Sequence, residues 1–562
     1  MISVTGRTWK MESVPERLIL KKKQDFEISL LLSKIFLTNR YTDDEIFSSL
    51  NKKLLPEINY VDDDFIKAST FFTESLKKKE KILIFGDYDV DGFSSTYLLH
   101  DFINNMKIEC DYYIPDRFYD GYGPNKELLE KLLNKKSYKL VFFVDCATNS
   151  YEEIDYLEKN GIKTIIIDHH QSQKEIIRKK TVIINPLKNN SNNHSSYFCA
   201  TTLVYFFLKY MNDILNINNI DFKKYLFFSA IGTICDQMPL RNINRSIVKI
   251  ALKNFSIQKF KKFNKILKFN SQITSSEIAF LLGPIFNSSS RMGNKDLVIK
   301  LLLEKNANNI NKISNKLLDL NEKRKEIQNT LFKSLNEKTK VKDHEIIFIY
   351  EKNINEGLLG VIAANFVELY NKPCFVLTNS NNLIKSSCRS INGYNLGNIL
   401  HDALNKKIIL KGGGHSMAGG CTFHKNKLAE FRNYLNKMYK KNFTKIENFN
   451  YYVSEQSIKS LKLFAKYELQ ILEPFGNKNL NPSFLIKNNQ IIKLKILKKI
   501  HIQVIIKNNH RTVSCYAFNS VNTKIGYILM NYKKKIDFIV QINNKIIQKN
   551  SDFNLIIKDV IV

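Results

Sequence analysis

The chain of 562 residues is long enough for about three to four domains, each with its own buried core. Its 86 basic and 54 acidic residues give a formal charge of +32, which favours a polyanionic partner. The alternative is that part of the Lys excess reflects AT-biased coding, since the sequence is rich in Lys, Asn and Ile. The eight cysteines include no CxxC pair, which argues against a zinc ribbon or a disulfide framework. The sequence has no signal-peptide core and no apolar stretch long enough to span a membrane, so we expect a cytoplasmic protein.

Three short apolar runs, each ending in acidic or histidine side chains, come first along the chain. They span 82–85, 140–144 and 164–167. Such runs are typical of central strands in a parallel sheet, and the alternation with helical segments from about 80 to 240 predicts a parallel α/β domain. Ligands of such sheets bind beyond the carboxyl ends of the strands. The side chains expected to converge at that edge are Asp87, Asp89, Asp91, Asp145, Asp168, His169 and His170.

The acidic residues after the first run suggest a metal site. Asp87, Asp89 and Asp91 alternate, so an extended segment would point them the same way, with a helix starting near 94–96 after the turn at Gly92. Crowded carboxylates repel unless cations neutralise them, and carboxylate with imidazole suits Mn²⁺ or Mg²⁺. Two such ions can clamp the attacking and leaving oxygens of a phosphoryl group. The alternatives are a calcium loop, which lacks its terminal Glu here, and a purely structural His pair.

The second half of the chain predicts three further units. Residues 296–340 form an amphipathic helical connector, and a second α/β unit begins near residue 346. The glycine run at 412–414 lets bare backbone N–H groups approach an anion, or simply makes a tight turn. Strand-like segments from residue 484 onward fit a five-stranded β-barrel. Tyr516 and Phe518 alternate there, either as core residues or as platforms for bases.

With Asp168-His169-His170 the chain resembles the DHH phosphoesterases. Further matching segments are 86–92, the surroundings of Asp145, and 232–240. The resemblance implies five metal ligands, for two Mn²⁺ or Mg²⁺ ions: Asp87, Asp89, Asp145, His169 and Asp236. It also implies that Asp91 and His170 act in catalysis, by supporting the site or contacting the scissile phosphate.

Over its whole length the chain is most similar to the single-stranded-DNA-specific exonucleases of that superfamily. Matching segments include 113–117 with 121–123, 283–293, 387–390, 412–420 and 472–476. By resemblance, the residues that bind DNA or its phosphates are Arg117, Arg291, Ser387, Arg389, Gly413, Gly414 and His415. The implied domains are an N-terminal extension (1–45), a catalytic DHH domain (46–295), the helical connector (296–340), a substrate-binding DHHA1 domain (341–448) and an oligonucleotide-binding (OB) barrel (449–562).

Several positions depart from the family pattern. Ile354-Asn355 stand where relatives have Trp-His, and Ala364-Asn365 where they have Ser-Arg. Glycines are replaced at Thr201, Leu203 and Ser290, and an arginine at Ile285. None of these positions is an expected metal ligand. We therefore expect the metal-dependent reaction to be retained and the binding of the substrate to differ from that of relatives.

The resemblance implies a monomeric exonuclease that degrades single-stranded DNA from 5′ to 3′ into 5′-mononucleotides during repair and recombination. A helicase and a single-strand-binding protein are candidate partners. One alternative is a phosphodiesterase for short oligonucleotides or cyclic dinucleotides, which the terminal β module disfavours. The other is a non-catalytic DNA-binding scaffold, which the complete set of ligands disfavours.

Overall fold

The computed structural model describes residues 1–51, 60–172, 178–188, 197–268, 273–339, 344–380, 382–443, 449–508, 510–532, 534–543 and 553–562. The chain begins with a short strand and three helices, each of the last two opened by a side-chain cap from Ser29 or Thr42. These elements are β1 (Thr8–Met11), α1 (Glu16–Phe26), α2 (Leu30–Thr38) and α3 (Asp43–Leu50).

The first large unit is a five-stranded parallel sheet with strand order β3-β2-β4-β5-β6. Its central strands β2 and β4 are buried along their whole length, as their apolar sequences predict. Its elements are α4 (Asp63–Lys77), β2 (Ile82–Gly86), α5 (Val90–Asn105), β3 (Cys110–Tyr113), α6 (Lys126–Lys135), β4 (Leu140–Val144), α7 (Tyr151–Lys159), β5 (Lys163–Ile167), β6 (Thr181–Ile184), α8 (Ala200–Leu215), α9 (Phe222–Cys235), α10 (Asn242–Lys253), α11 (Ser275–Glu277), α12 (Gly283–Arg291) and α13 (Leu297–Leu303).

A 32-residue helix, α14 (Ala307–Lys338), packs against α12 and leads to a second sheet of order β10-β11-β9-β8-β7. Only β7 and β8 pair in parallel among the described strands of this sheet. Its elements are β7 (Ile347–Tyr350), α15 (Leu359–Tyr370), β8 (Cys374–Ser380), β9 (Leu383–Arg389), α16 (Leu396–Asn405), β10 (Lys411–Gly414), β11 (Ala418–His424) and α17 (Leu428–Asn442).

The last unit is a closed five-stranded barrel with strand order β13-β14-β15-β17-β16. The elements of this part of the chain are β12 (Phe449–Tyr452), α18 (Ile458–Tyr467), α19 (Leu469–Leu472), β13 (Ser483–Leu497), β14 (His501–Asn508), β15 (Arg511–Ala517), α20 (Lys524–Asn531), β16 (Ile536–Ile542) and β17 (Asn554–Ile561).

The N-terminal segment packs on the barrel that ends the chain. Buried side chains of α2 and α3 share one apolar cluster with the barrel strands, and β1 pairs in parallel with β12. The backbone N–H of Val4 donates to the carbonyl of Val560 at 2.9 Å, and the indole N–H of Trp9 donates to the buried Asp559 at 2.9 Å. The two ends of the described chain therefore form one folded unit.

The segment leading into the barrel also contacts the parallel-sheet unit. The backbone N–H of Leu240 donates to the carbonyl of Asn477 at 2.8 Å, and the Asn477 side-chain amide donates to the carbonyl of Gln237. The buried guanidinium of Arg245 donates to the carbonyls of Ile471 (2.6 Å) and Glu473 (3.0 Å). The loop that follows α9, together with α10, is thereby bonded to the segment that leads into the barrel.

The expected fold class is confirmed: a parallel α/β domain, a long helical connector, a second α/β unit and a terminal β-barrel. The expected domain boundaries near 340 and 448 lie outside the described residues, and the division into domains stays a prediction. None of the helices in the described part of the chain has the length and apolar character needed to cross a lipid bilayer.

Candidate metal centre

The carboxyl ends of β2, β4 and β5 bring acidic and histidine side chains together, as the sequence predicts. Within the described residues, three sets of ligand atoms each lie within 4.8 Å of one another. They are Asp87 with Asp89 and Asp145, Asp145 with His169 and His170, and Asp91 with His169 and Asp236. Asp145 and His169 each belong to two sets, so the groups form one continuous centre.

The segment after β2 is helical earlier than the sequence suggested. Asp89, rather than a residue near 94–96, caps α5, because its Oδ1 accepts from the N–H groups of Asp91 (2.9 Å) and Gly92 (3.1 Å). The expectation that an extended segment points three carboxylates the same way was wrong for Asp91, which lies in the first turn of that helix. A Cβ at Gly92 would lie 2.4 Å from the carbonyl oxygen of Asp87, so only glycine permits this turn.

Asp91 is held by the start of α8. Its carboxylate accepts from the backbone N–H groups of Ala200 (2.7 Å) and Thr201 (3.0 Å), and from the Thr201 hydroxyl (2.6 Å). Helix N-termini favour negative charge, so this buried carboxylate has compensating partners. Thr201, one of the departures from the family pattern, supplies one of them. A Cβ at Gly232 would lie 2.5 Å from the same carboxylate.

Asp145 and His169 occupy the middle of the centre. Asp145 has a positive φ of 62°, a strained conformation that turns the chain sharply at the end of β4. The Nε2 atom of His169 lies 3.3 Å from Asp145 Oδ1, 3.4 Å from Asp236 Oδ2 and 3.9 Å from Asp91 Oδ2. One imidazole nitrogen therefore faces carboxylates from three different elements.

Asp168 orients the His pair. Its carboxylate accepts from the backbone N–H groups of His169 (2.8 Å), His170 (3.3 Å) and Thr148 (3.1 Å), and pairs with His170 Nδ1 at 2.7 Å. Burial alone would lower the pKa of His170, but the charge and hydrogen bond of Asp168 outweigh it and raise that pKa to about 9. Asp168 belongs to none of the three described ligand sets.

The buried carboxylates fit a site for divalent cations. Asp87 Oδ1 and Asp145 Oδ1 are buried and accept no hydrogen bond from any described group. Burial and the neighbouring charge of Asp89 raise the pKa of Asp87 to about 8, and burial with the charges of Asp91 and Asp89 raises that of Asp145 well above its usual range. Cations would supply the missing partners and let these groups ionise. Oxygen ligands with one imidazole suit Mn²⁺ or Mg²⁺.

Next to this centre lies a cluster of guanidinium groups. Burial and the positive charges of Arg117, Arg389 and Arg324 lower the pKa of Arg291 to about 9. Arg117 stacks on the Tyr88 ring at 4.2 Å, and its buried Nε makes no hydrogen bond to a described group. Several arginines this close, with no ion pair to a carboxylate in the described part of the chain, are expected to bind a phosphate.

The second α/β unit closes this cluster from the other side. Arg291 donates to the carbonyl of Gly357 at 2.9 Å, and a Cβ on Gly357 would lie 2.5 Å from the Arg291 carbonyl oxygen. A Cβ on Gly360 would lie 3.0 Å from the Ser387 hydroxyl and 3.1 Å from the Arg389 guanidinium. The structure therefore brings Arg117, Arg291, Ser387 and Arg389 to one cleft between two units.

The glycine–histidine turn reaches the metal centre from the same unit. The His415 ring stacks on His170 with centroids 5.9 Å apart. Gly413 has open space where a side chain would be, and Gly414 has a φ of 150°. Exposed backbone of this kind can approach an anion closely, as the sequence suggested.

The departures from the family pattern have different structural consequences. Asn355 caps a short 3₁₀-helix through Gly357 N–H (2.9 Å), next to an ion pair between Glu356 and Lys385 (2.7 Å). Leu203, Ile285 and Ser290 are buried packing residues. Ala364 is exposed on α15 and Asn365 is half-buried beside it.

Sequence reasoning assigned no role to two side chains of the cleft, although residues 121–123 belong to a matching segment. Arg324 lies on α14, where its guanidinium donates to Asn321 and Gln328 at 2.7 Å each. The Tyr122 hydroxyl lies 3.3 Å from His170 Nε2. Residues 321, 324 and 328 lie on the same face of α14 as the buried Leu317, but they are polar. Polar residues on an otherwise apolar helix face were the sequence feature that could have indicated Arg324.

Comparison with protein families matches three regions of the chain. Residues 81–233 match the DHH family N-terminal domain, 343–441 the DHHA1 domain, and 454–559 the RecJ OB domain.

Curated relatives and solved structures agree with these matches. The chain is 25% identical over 478 residues to the single-stranded-DNA-specific exonuclease RecJ of Bacillus subtilis, covering 82% of this chain but only 59% of that protein. The Escherichia coli RecJ is 25% identical over 65% of this chain and 67% of its own length. The crystal structure of Thermus thermophilus RecJ with Mn²⁺ has a TM-score of 0.80 at 19% identity, covering 99% of this chain and 79% of that one. A RecJ structure bound to manganese has a TM-score of 0.59 at 23% identity, and the match covers 69% of this chain and 97% of that one.

Proposed function

Since DHH, DHHA1 and RecJ OB domains follow one another and together match more than half of the chain, this protein belongs to the RecJ group of the DHH family, and we propose that it is a metal-dependent exonuclease acting on single-stranded DNA. In this proposal it degrades the strand from 5′ to 3′ and releases 5′-mononucleotides. The observation that carries it is the linked centre of Asp145 and His169, with the guanidinium cluster beside it.

The proposed ligands of two Mn²⁺ or Mg²⁺ ions are Asp87, Asp89, Asp145, His169 and Asp236. Such ions supply positive charge against the scissile phosphate and activate the attacking water when bound. Asp91 sets the start of α8 against the centre through its three hydrogen bonds. His170, kept protonated through neutral pH by Asp168, stabilises negative charge that develops on the phosphate.

In this proposal the guanidinium cluster determines the direction in which the enzyme degrades the strand. Arg117, Arg291 and Arg389, with the Ser387 hydroxyl, would hold a terminal 5′-phosphate, because a doubly charged terminal phosphate pairs with several guanidinium groups better than an internal diester does. Gly413, Gly414 and His415 would hold the adjacent backbone. A terminus fixed there places the first phosphodiester at the metal centre, so cleavage proceeds from the 5′ end.

An assay on end-labelled DNA tests the proposal. We expect degradation of a 5′-phosphorylated single strand to mononucleotides in Mn²⁺, with much slower degradation of blunt duplex and of strands lacking the 5′-phosphate. Cleavage confined to dinucleotides or cyclic dinucleotides, or DNA binding with no cleavage, would contradict it.

Replacing Asp145 by Ala tests the metal centre itself. Loss of a residue that only hydrogen-bonds to a metal ligand lowers activity by up to about 100-fold. Because Asp145 itself belongs to two of the ligand sets, we expect Asp145→Ala to lower cleavage by more than that. Binding of single-stranded DNA in EDTA should persist. The exposed Asp213→Asn on α8 is the matched control. Substantial metal-dependent cleavage by Asp145→Ala would refute the assignment.

We further propose that the enzyme acts in the cytoplasm in DNA repair and recombination, as a monomer supplied with single strands by a helicase and a single-strand-binding protein. All eight cysteines are free, as is typical of a reducing compartment.

A further inference from the structure

Arg117 lies on a short loop that two carboxylates close. The loop spans residues 116–121, between β3 and α6. The carbonyl of Asp116 accepts from the backbone N–H of Asp120 at 2.8 Å, and its Oδ1 accepts from the N–H of Phe118 at 2.8 Å. In the opposite direction, Asp120 Oδ2 accepts from the N–H of Asp116 at 2.7 Å. The backbone on both sides of Arg117 is therefore bonded within the loop.

The same oxygen of Asp120 connects the loop to a distant segment of the chain. It accepts from the Tyr113 hydroxyl at 2.8 Å, and Lys295 Nζ lies 3.6 Å from it. Lys295 also donates to the Tyr113 hydroxyl at 3.0 Å and lies 4.1 Å from the centre of that ring. The side chains of Asp120 and Lys295 are only 19% and 25% exposed, so solvent screens this pair less than a surface ion pair. We call Tyr113, Asp120 and Lys295 the loop clamp.

Lys295 comes from the turn that follows α12, the helix that ends with Arg291. A Cβ on Gly293, in the same turn, would lie 3.8 Å from the Phe118 ring, so the loop and the turn are in contact. The loop clamp therefore joins the segment that carries Arg117 to the segment that carries Arg291, although the two come from distant parts of the chain.

The guanidinium groups that the loop clamp brings together repel one another. Burial and the charge of Arg117 lower the pKa of both Arg291 and Arg389. Stacking on Tyr88 at 4.2 Å supports the Arg117 side chain, but its buried Nε makes no hydrogen bond to a described group. In the protein without a ligand, repulsion would move the loop outward unless the chain holds it. Groups held in place before binding give a higher affinity, because less order has to be created on binding.

We propose that Asp120 and Lys295 are positioning residues for the recognition of the 5′-terminal phosphate, because they hold Arg117 and Arg291 at the separation at which one phosphate binds both. The proposal rests on the proposed function for the identity of the ligand. Neither residue needs to touch the phosphate, and neither belongs to the expected metal-binding or DNA-binding residues. Their substitution should change the preference for a phosphorylated end and leave the binding of the rest of the strand as it is.

The test measures the binding of 3′-labelled oligothymidine in EDTA by fluorescence anisotropy, with and without a 5′-phosphate. The quantity compared is the ratio of the two affinities. Because coupling through a second group is typically worth at least about fivefold in affinity, we expect Asp120→Asn and Lys295→Met each to lower that ratio at least about fivefold. The affinity for the unphosphorylated strand should stay that of the wild type.

Two further variants are controls. Lys295→Arg keeps a positive charge beside Asp120 and should retain the ratio. Lys300→Met removes the lysine of an exposed ion pair on α13, in which Nζ lies 3.8 Å from Asp296, and should change nothing. If Asp120→Asn does not fold, as judged from its Tm, Lys295→Met carries the same prediction.

A double-mutant cycle with Arg117→Gln separates positioning from stability. If Asp120 acts through Arg117, removal of the guanidinium leaves Asp120 nothing to position. In the Arg117→Gln background, Asp120→Asn should therefore change the ratio by less than about twofold. Losses that multiply in the double variant would overturn the proposal, since they would show that Asp120 acts independently of Arg117.

The outcomes also separate this inference from the proposed exonuclease. A wild type that binds both strands equally has no pocket for a terminal phosphate, and it contradicts both the proposed direction of degradation and the role of the loop clamp. If the wild type prefers the phosphorylated strand and the two variants keep that preference, the proposed function stands and this inference is overturned. An equal loss of binding on both strands also overturns it, because the loop clamp then only supports the fold.

Discussion

Thr201, which stands where the family pattern has a glycine, binds the buried carboxylate of Asp91. Its hydroxyl and backbone N–H both donate to the carboxylate of Asp91, at 2.6 Å and 3.0 Å. Replacing it by the isosteric valine leaves a buried carboxylate with one hydrogen bond fewer. We expect Thr201→Val to lower the free energy of unfolding by about 1–3 kcal/mol, measured by urea denaturation.

Thr201→Ser is the control for that change, because it keeps the hydroxyl and removes only a methyl group. Its stability should lie much closer to the wild type than that of Thr201→Val. Equal losses in the two variants would show that the methyl group, rather than the hydrogen bond to Asp91, matters at this position.

At the scale of single residues, the sequence predicts which side chains converge but not what each one contacts. Asp87, Asp89 and Asp145 lie together because parallel strands end at one edge. The partners of Asp91 come from a helix start more than 100 residues later, which no local pattern indicates. The place of Arg324 in the guanidinium cluster was not predicted, because the sequence of its helix is typical of an amphipathic connector and the neighbouring arginines come from other parts of the chain.

At the scale of elements, the strands were predictable because short, continuous apolar runs are typical of strands buried on both faces. The start of a helix is harder to predict, because it depends on which polar side chain accepts hydrogen bonds from the first backbone N–H groups. Asp89 takes the cap of α5 because its carboxylate is two residues before the free N–H groups, ahead of the three hydroxyl residues that follow. The packing of α2 and α3 on the barrel was not predictable, since an amphipathic helix does not specify its partner.

The contact between α3 and Arg241, the residue before α10, predicts a pH-dependent stability. Glu45 is buried and pairs with the guanidinium of Arg241, whose Nε lies 2.7 Å from Glu45 Oε1. Burial alone would raise the pKa of Glu45, but the hydrogen bonds from Arg241 and from the backbone of Thr42 outweigh it and hold that pKa below its usual 4.5. The ionised pair therefore stabilises the fold above about pH 4.5, and this contribution is lost as the pH falls through the lower folded-state pKa.

We expect Glu45→Gln to lower the free energy of unfolding by about 2 kcal/mol at neutral pH, with the difference from wild type shrinking in acid. Urea denaturation at several pH values measures both. Asp43→Asn, an exposed acidic position in the same helical turn, is the control and should change little. A difference for Glu45→Gln that is independent of pH would contradict the role of the ionised pair.

At the scale of the whole molecule, the metal centre makes stability depend on both pH and metal. Burial and neighbouring carboxylates raise the pKa of Asp87 to about 8, and those of Asp145 and Asp236 well above their usual range. Without metal, the folded protein then holds protons that the unfolded chain has released above about pH 4. Its stability should fall as the pH rises from about 4 to 8.

Mn²⁺ should reverse this trend, because it binds the ionised carboxylates and displaces their protons. We expect the increase in Tm on exchanging EDTA for saturating Mn²⁺ to be larger at about pH 8 than at about pH 6, with a stabilisation of about 2.7 kcal/mol at 100 times Kd. Differential scanning fluorimetry measures it. The same increase at both pH values would argue against the buried carboxylates as ligands.

The joining of the two chain ends has a consequence for synthesis on the ribosome. The partners of Thr5 and Trp9 lie 554 and 550 residues later, at Asp559. At translation rates of about 5–20 residues per second, the N-terminal helices wait roughly half a minute to two minutes for the barrel that covers them. Throughout that interval Leu32, Ile35 and Phe36 lack the apolar cluster that buries them. A nascent chain of this protein is therefore expected to be a long-lived client of ribosome-associated chaperones.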